Sequence, residues 1–197
     1  MLSNLIRQRV QGVLNSIAGG LNKLGLTPNG LTLIGFFFMC FIGVVIATGN
    51  FALGGLLVIV AGIFDALDGS LARLTNRVTK FGAFLDSTTD RFAEGALFLG
   101  IMHPFLQRGV TFVAYLAMFA LLGSLMVSYA RARAEGINVE MKEGMLTRFE
   151  RIALLIIGLG LTAFFGDAPL LIVLAFLAVF TNLTAIQRMW LVYQATK

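Results

Sequence analysis

The run Leu31 to Gly49, LTLIGFFFMCFIGVVIATG, carries no charged side chain, and runs of this kind dominate the chain. A helix rises 1.5 Å per residue, so roughly 20 residues cross the hydrocarbon core of a bilayer. Five further segments have that character: Phe51 to about Thr75, Phe81 to about Pro104, Val110 to Tyr129 with a charged helical extension toward Glu135, Ile152 to Phe165 as the core of the next, and Ala168 to Gln187. With 58% of its 197 residues hydrophobic and only 13% charged, the chain is too apolar for an ordinary soluble domain. The expected fold is an all-α integral membrane protein with six transmembrane helices over residues 28–197.

Residues 1–27 have a different texture. MLSNLIRQRVQGVLNSIAGGLNKLG interleaves Arg7, Arg9 and Lys23 with apolar positions and has no continuous apolar core. It therefore reads as an amphipathic juxtamembrane helix and not as a cleavable leader. Pro28 marks the start of the first span. Short Gly-containing connections at Thr48 to Asn50 and Phe165 to Ala168 read as tight helical hairpins. Arg7, Arg9, Lys23, Arg73, Arg77, Lys80, Arg91, Arg131, Arg133, Lys142, Arg148, Arg151, Arg188 and Lys197 would fall on one side and only Arg108 on the other. Lys and Arg accumulate on the cytoplasmic side, which places both termini there, in the cell membrane. The net charge of +5 is thereby assigned to a membrane surface and anionic ligands, with no nucleic-acid partner. Cys40 has no second cysteine to pair with, so it reads as a packing residue. His103 reads as interfacial, and Trp190 as an anchor where the last helix emerges.

The second and third spans break the apolar pattern. Phe51 to Phe64 supplies about 14 apolar or small residues before Asp65, too few to cross. The acids must then lie inside the helix near its cytoplasmic end. The third span mirrors it, with Asp86, Asp90, Arg91 and Glu94 first and uncharged residues after. Asp65 and Asp68 are spaced i,i+3 and Asp86 and Asp90 i,i+4, so each pair projects from one face of its helix. Carboxylates gathered this way repel one another and raise each other's pKa unless cations intervene. Oxygen ligands without His or Cys favour Mg²⁺, Mn²⁺ or Ca²⁺ over Zn²⁺, and two such ions would neutralise phosphate oxygens in phosphoryl transfer. Gly69 and Gly82 leave room for a ligand near the backbone, and Arg73 can reach a phosphate. Structural salt bridges would be a plainer use of these acids, but ionisable groups inside a membrane are costly and mark function. A cation or proton transporter is the other functional class. Transporters place such groups near the midplane, often in duplicated halves, whereas here a single hairpin carries them near one end.

The same residues, Asp65, Asp68, Gly69, Ala72, Arg73, Gly82, Asp86 and Asp90, match the D-x2-D-G-x2-A-R-x8-G-x3-D-x3-D signature and so resemble the CDP-alcohol phosphotransferase family. The resemblance implies a six-helix fold with a juxtamembrane helix, a cytoplasm-facing site, and a homodimer packed through the third and fourth spans. It implies that Asp65, Asp68 and Asp86 ligate metal and that Asp90 completes the site and acts as general base. Asn29, Gly30, Leu31, Thr32, Gly69, Arg73, Thr79 and Gly82 would bind the CDP-lipid. An acceptor hydroxyl would attack the lipid-linked phosphate of CDP-diacylglycerol, releasing CMP.

Basic residues at three other helix ends bear on the acceptor. SYARARAEG supplies Arg131 and Arg133, TRFERI supplies Arg151 beside Arg148, and AIQRMW supplies Arg188. Positive-inside topology accounts for such residues one at a time. As a cluster they suit a phosphorylated acceptor, because guanidinium forks match phosphate oxygens. These stretches resemble the S-Y-x-K-A-R-A-E, R-P-E-R and Q-R segments of phosphatidylinositol phosphate synthases, with Arg131 in place of lysine and Phe149 in place of proline. That likeness implies inositol phosphate as acceptor. Glycerol 3-phosphate, as in phosphatidylglycerophosphate synthases, is the alternative. Nothing in the sequence reads the lipid tails, so an archaeal-type donor stays open.

Overall fold

The structure is a computed structural model that describes residues 2–141 and 144–197. Met1, Lys142, Glu143 and the side chains of residues 2–10 lie outside the described residues, and with them Arg7, Arg9 and Lys142 of the charge asymmetry. The described residues form seven helices: α1 (Leu2–Lys23), α2 (Pro28–Ala47), α3 (Phe51–Leu74), α4 (Lys80–Gln107), α5 (Thr111–Glu135), α6 (Arg148–Phe165) and α7 (Ala168–Ala195). Four of them, α2, α3, α5 and α7, are long and apolar enough to cross a membrane. The sequence predicts six crossings. The difference lies in α4, interrupted by Asp86, Asp90, Arg91 and Glu94, and in α6, whose 18 residues include Arg148, Glu150 and Arg151. The third expected span also runs on through Pro104 to Gln107.

The chain divides into two compact units, one made of the residues up to Phe41 with Leu57–Glu94, the other of Ile42–Leu56 with Gly95–Lys197. In the first, Leu14, Ala18 and Leu21 project from one face of α1 at i, i+4 and i+7. They pack on Leu31 of α2 and on Leu67 and Leu71 of α3, with Phe64 at the edge of the cluster. Val13 and Ile17 of α1 remain exposed. The apolar contact is thus built directly around the turn of α3 that carries Asp68.

In the second unit the α5–α7 pair carries a polar seam. Asn182 Nδ2 donates to the Phe119 carbonyl at 3.1 Å, and Thr181 Oγ1 lies 3.5 Å from that of Ala120. Side-chain hydrogen bonds across helices supply packing specificity where lipid tails compete equally for apolar surface. The α2–α3 and α6–α7 turns each place a glycine at positive φ, Gly49 at 86° and Gly166 at 62°, a region that non-glycine residues seldom enter. Arg108, in the α4–α5 turn, pairs with Asp167 at 2.7 Å.

The first helical residues of α6 are set by a capping box. The Thr147 backbone N–H donates to Glu150 Oε2 at 2.6 Å while the Thr147 side chain caps the third residue of the helix. Two glycines mark the closest backbone approach in this unit: a Cβ on Gly100 would collide with the Gly43 carbonyl, and one on Gly43 would lie 2.6 Å from the Ala96 carbonyl. Gly100→Ala should therefore lower stability by about 2 kcal/mol, in the range of an overpacked core. Gly160→Ala, inside α6 where nothing lies within 4 Å, should stabilise by up to about 1 kcal/mol; thermal unfolding in detergent compares the two. A second prediction concerns pH. The Thr147 amide, and then its hydroxyl, hold the exposed Glu150 carboxyl below its ordinary value. A depressed folded-state pKa contributes stability above the unfolded-state pKa, and that contribution disappears as pH falls through the folded one. The difference in melting temperature between wild type and Glu150→Gln should be constant near neutrality and vanish on acidification.

Candidate active site

Asp65 lies on α3, Asp86 and Asp90 on α4, and each offers an oxygen such that all lie within 4.8 Å of one another. Asp65 is exposed and the other two are half-buried. The i,i+4 spacing of Asp86 and Asp90 puts both on one face of α4, as expected. Three carboxylates at this separation repel strongly unless a cation sits among them. The donor set is all oxygen, and its spacing suits ligands sharing a hard divalent ion at about 2.0–2.6 Å each. The residues present therefore fit a Mg²⁺- or Mn²⁺-type centre.

Asp68 stands apart from that group. It is 9% exposed, and its Oδ2 accepts a hydrogen bond from Thr32 Oγ1 of α2 at 2.8 Å. The same hydroxyl lies 3.1 Å from the Pro28 carbonyl. Thr32, expected to face the CDP-lipid, thus spends its hydroxyl on orienting the fourth aspartate. Arg91, outside the expected set, lies 3.4 Å from Asp90 Oδ2. Glu94, one turn beyond Asp90, is 1% exposed.

The other residues expected at the donor site belong to the same unit. Thr27 Oγ1 accepts from the Gly30 N–H at 3.1 Å, and Thr79 Oγ1 accepts from that of Gly82 at 2.9 Å. These two hydroxyls cap the starts of α2 and α4. A Cβ on Gly82 would lie 3.1 Å from both Asn29 Oδ1 and Thr79 Oγ1. The structure therefore brings Asn29, Thr79 and Gly82 together, and the two helix starts offer backbone N–H groups suited to an anion. Gly69 is covered by its neighbour one turn on, since a Cβ there would lie 3.2 Å from Arg73 Nη1. Arg73 itself reaches Ser70 Oγ at 3.4 Å. Leu31 differs from the rest: its side chain is 2% exposed in the core against α1 and α3.

The arginines form a separate feature within the second unit. Arg188 of α7 is 5% exposed and lies within electrostatic range of Arg131, Arg151 and Glu135. Its Nη1 donates to the Val127 carbonyl of α5 at 2.7 Å. A Cβ on Gly144 would sit 2.8 Å from its Nη2, so the α5–α6 connection presses on the guanidinium. Arg151 is 2% exposed, and its Nη1 donates to the Leu146 carbonyl at 3.3 Å. Arg131 Nε donates to Glu135 Oε1 at 2.9 Å. Arg133, expected with them, is exposed. Two residues along a helix turn the side chain by roughly 200°, away from the face of Arg131. Glu135 was legible in the sequence as the i,i+4 partner of Arg131, whereas the Val127 and Gly144 contacts depend on long-range packing.

Comparison with known proteins bears on both features. The family model for CDP-alcohol phosphatidyltransferase matches residues 25–193. The archaetidylinositol phosphate synthase of Pyrococcus horikoshii is 39% identical over 199 residues, covering 100% of this chain and 97% of that one. The phosphatidylinositol phosphate synthase of Mycobacteroides abscessus is 32% identical over 188 residues, covering 94% and 86%. Among solved structures, the phosphatidylinositol phosphate synthase of Mycobacterium tuberculosis with CDP-DAG bound superposes with a TM-score of 0.87 at 30% identity, over 92% of this chain and 94% of that one. The same enzyme in complex with manganese and citrate gives 0.85, over 91% and 88%. With its acidic signature on α3 and α4 and a match along nearly its whole length, the chain belongs to the CDP-alcohol phosphatidyltransferase family.

Proposed function

We propose that this chain transfers a phosphatidyl-type group from a CDP-activated lipid to inositol phosphate, releasing CMP, as a step of phospholipid biosynthesis. The observation that carries the reading is the grouping of Asp65, Asp86 and Asp90 by α3 and α4 in a member of this family. Family membership favours a transferase over a transporter, and the likeness to inositol phosphate-using relatives favours that acceptor over glycerol 3-phosphate. A second reading concerns only the lipid tails. The higher identity to an archaetidylinositol phosphate synthase supports CDP-archaeol as the donor in place of CDP-diacylglycerol.

In this reading Asp65, Asp68, Asp86 and Asp90 hold a pair of Mg²⁺ or Mn²⁺ ions, with Thr32 fixing Asp68. Bound there, divalent cations neutralise charge on the diphosphate. Asn29 and Gly30 at the start of α2, with Thr79, Gly82, Gly69 and Arg73, bind the cytidine diphosphate, while the Leu31 side chain packs in the core and the Thr32 hydroxyl serves Asp68. Arg131, Arg151 and Arg188 bind the acceptor's phosphate, with Arg133 at the margin. Asp90 takes the proton from the acceptor hydroxyl. The freed oxygen forms a bond to the lipid-bearing β-phosphorus, the bond from that phosphorus to the bridging oxygen breaks, and its electron pair leaves on CMP. A positioned base of this kind contributes roughly 10²- to 10⁴-fold.

The proposal includes the membrane arrangement. α4 and α6 cross with α2, α3, α5 and α7, giving six crossings over residues 28–197, and residues 1–27 form the juxtamembrane helix. Long charged side chains near helix ends can reach the interface, which makes crossings by α4 and α6 physically acceptable. The lysine and arginine distribution orients both termini and the site toward the cytoplasm of the cell. Two copies form a homodimer.

Protein reconstituted in lipid with CDP-diacylglycerol or CDP-archaeol and Mg²⁺ or Mn²⁺ should release CMP with inositol phosphate, but not with free inositol or glycerol 3-phosphate. A preference for glycerol 3-phosphate would overturn the acceptor assignment. Chelation should abolish release, and re-addition of metal should restore it. Asp90→Asn should lower turnover by on the order of 10³-fold while binding metal and CDP-lipid better than Asp86→Asn. Near-normal turnover of Asp90→Asn would remove it as the base.

A further inference from the structure

The basic cluster of the second unit carries an acid whose presence local helix energetics does not explain. Glu135 is the last residue of α5, where a carboxylate faces the negative end of the helix dipole. Its partner Arg131 precedes it by four residues, and arginine before glutamate is the weaker order for such a pair. The two side chains are 57% and 52% exposed, and ion pairs this exposed contribute little to stability. An ordinary surface pair would also stand alone. This one does not, because the buried guanidinium of Arg188 lies within electrostatic range of both Arg131 and Glu135, and of Arg151.

We propose that Glu135 is a positioning residue for the acceptor: it occupies Arg131 Nε when no phosphate is bound and yields that guanidinium to a phosphate monoester. The inference rests on the reading of this cluster as the acceptor-phosphate site and deepens it. A phosphate monoester carries about −1.5 to −2 charge near neutral pH and three strong acceptor oxygens, so it displaces a monoanionic carboxylate from a guanidinium. An unphosphorylated polyol has no group with which to do so. Glu135 therefore makes the cluster selective for a dianion, beyond what three arginines alone would be.

The exchange also bears on product release. Transfer esterifies a hydroxyl of the acceptor and leaves its phosphate monoester intact, so the lipid product keeps the very group by which the acceptor was held. The return of Glu135 to Arg131 then competes the product away. Removing the carboxylate should strengthen acceptor binding and slow turnover together.

Glu135→Gln retains size and removes charge. With reconstituted protein at saturating CDP-lipid, the acceptor KM should fall about two- to fivefold, the span of an exposed ion pair, and kcat should fall by a similar factor. KM for the CDP-lipid should not move. Inorganic phosphate, as a competitive probe, should inhibit at a correspondingly lower concentration, and in an Arg131→Ala background the substitution should have no effect. A merely structural role would lower the melting temperature and raise both KM values. An acceptor KM and phosphate inhibition that stay constant or rise, or an effect that persists without Arg131, would overturn the proposal. A lower KM with unchanged kcat would overturn the release role alone. Direct binding of inorganic phosphate to both proteins separates this inference from the acceptor assignment. If wild type failed to use inositol phosphate yet Glu135→Gln still bound inorganic phosphate more tightly, the acceptor would be wrong and the exchange would stand.

Discussion

Mutual repulsion among carboxylates held on membrane-type helices is the constraint from which the rest of this molecule follows. Asp65, Asp86 and Asp90 present oxygens within 4.8 Å of one another, an arrangement that nearby positive charge must offset. To create it, α3 and α4 must lie antiparallel with their charged ends at the same level, and the short link between Leu74 and Lys80 ensures that. The cost is that α4 cannot be uniformly apolar, which is why its composition departs from that of α2, α3, α5 and α7. The packing around the site compensates locally. Leu67 and Leu71, flanking Asp68 on α3, are buried against Leu31 and α1, so the charged turn is held by apolar contacts on its neighbouring faces.

Helix content and the acidic site were legible because both rest on short-range periodicity. Spacings of three and four residues decide which side chains share a face, and they correctly paired Asp86 with Asp90. The same rule separates Arg133 from Arg131, a distinction lost when the basic residues are read as a group by helix end. What periodicity could not reveal was which neighbour each side chain would choose. Asp68 shares a helix with Asp65, yet its nearest fixed partner is Thr32, which comes from α2 and lies 36 positions away in sequence. Leu31, inside the stretch expected to bind the donor, turned inward because its alternative was to leave the α1–α3 contact unfilled.

The two charged features of the protein use opposite strategies. Around the aspartates, three carboxylates are gathered within reach of one another, with Arg91 3.4 Å from Asp90 Oδ2. Around the arginines, backbone carbonyls orient the two buried guanidiniums and Glu135 holds the exposed Arg131. Val127 accepts from Arg188 and Leu146 from Arg151, and each contact orients a guanidinium. A guanidinium carries five donors in one plane, a geometry that matches a planar anion or a phosphate.

This also recasts the two departures from the phosphatidylinositol phosphate synthase segments. Phe149 is 81% exposed and is the second residue of α6, a position whose backbone N–H has no partner within the helix. Proline there costs no intrahelical hydrogen bond but fixes the backbone, whereas phenylalanine leaves the helix start to be set by other groups, and the Thr147–Glu150 capping box does so. The exchange at position 149 is thus a change in how the helix is begun, with Arg151 delivered to the same turn. Position 131 is different. A lysine ammonium is a point charge that follows whichever anion is nearer, whereas a guanidinium has five donors in a fixed plane. Arg131 can hold Glu135 through Nε with its terminal nitrogens directed elsewhere. If this cluster holds the acceptor as proposed, arginine at position 131 is the substitution that would let a single side chain serve two anions in turn.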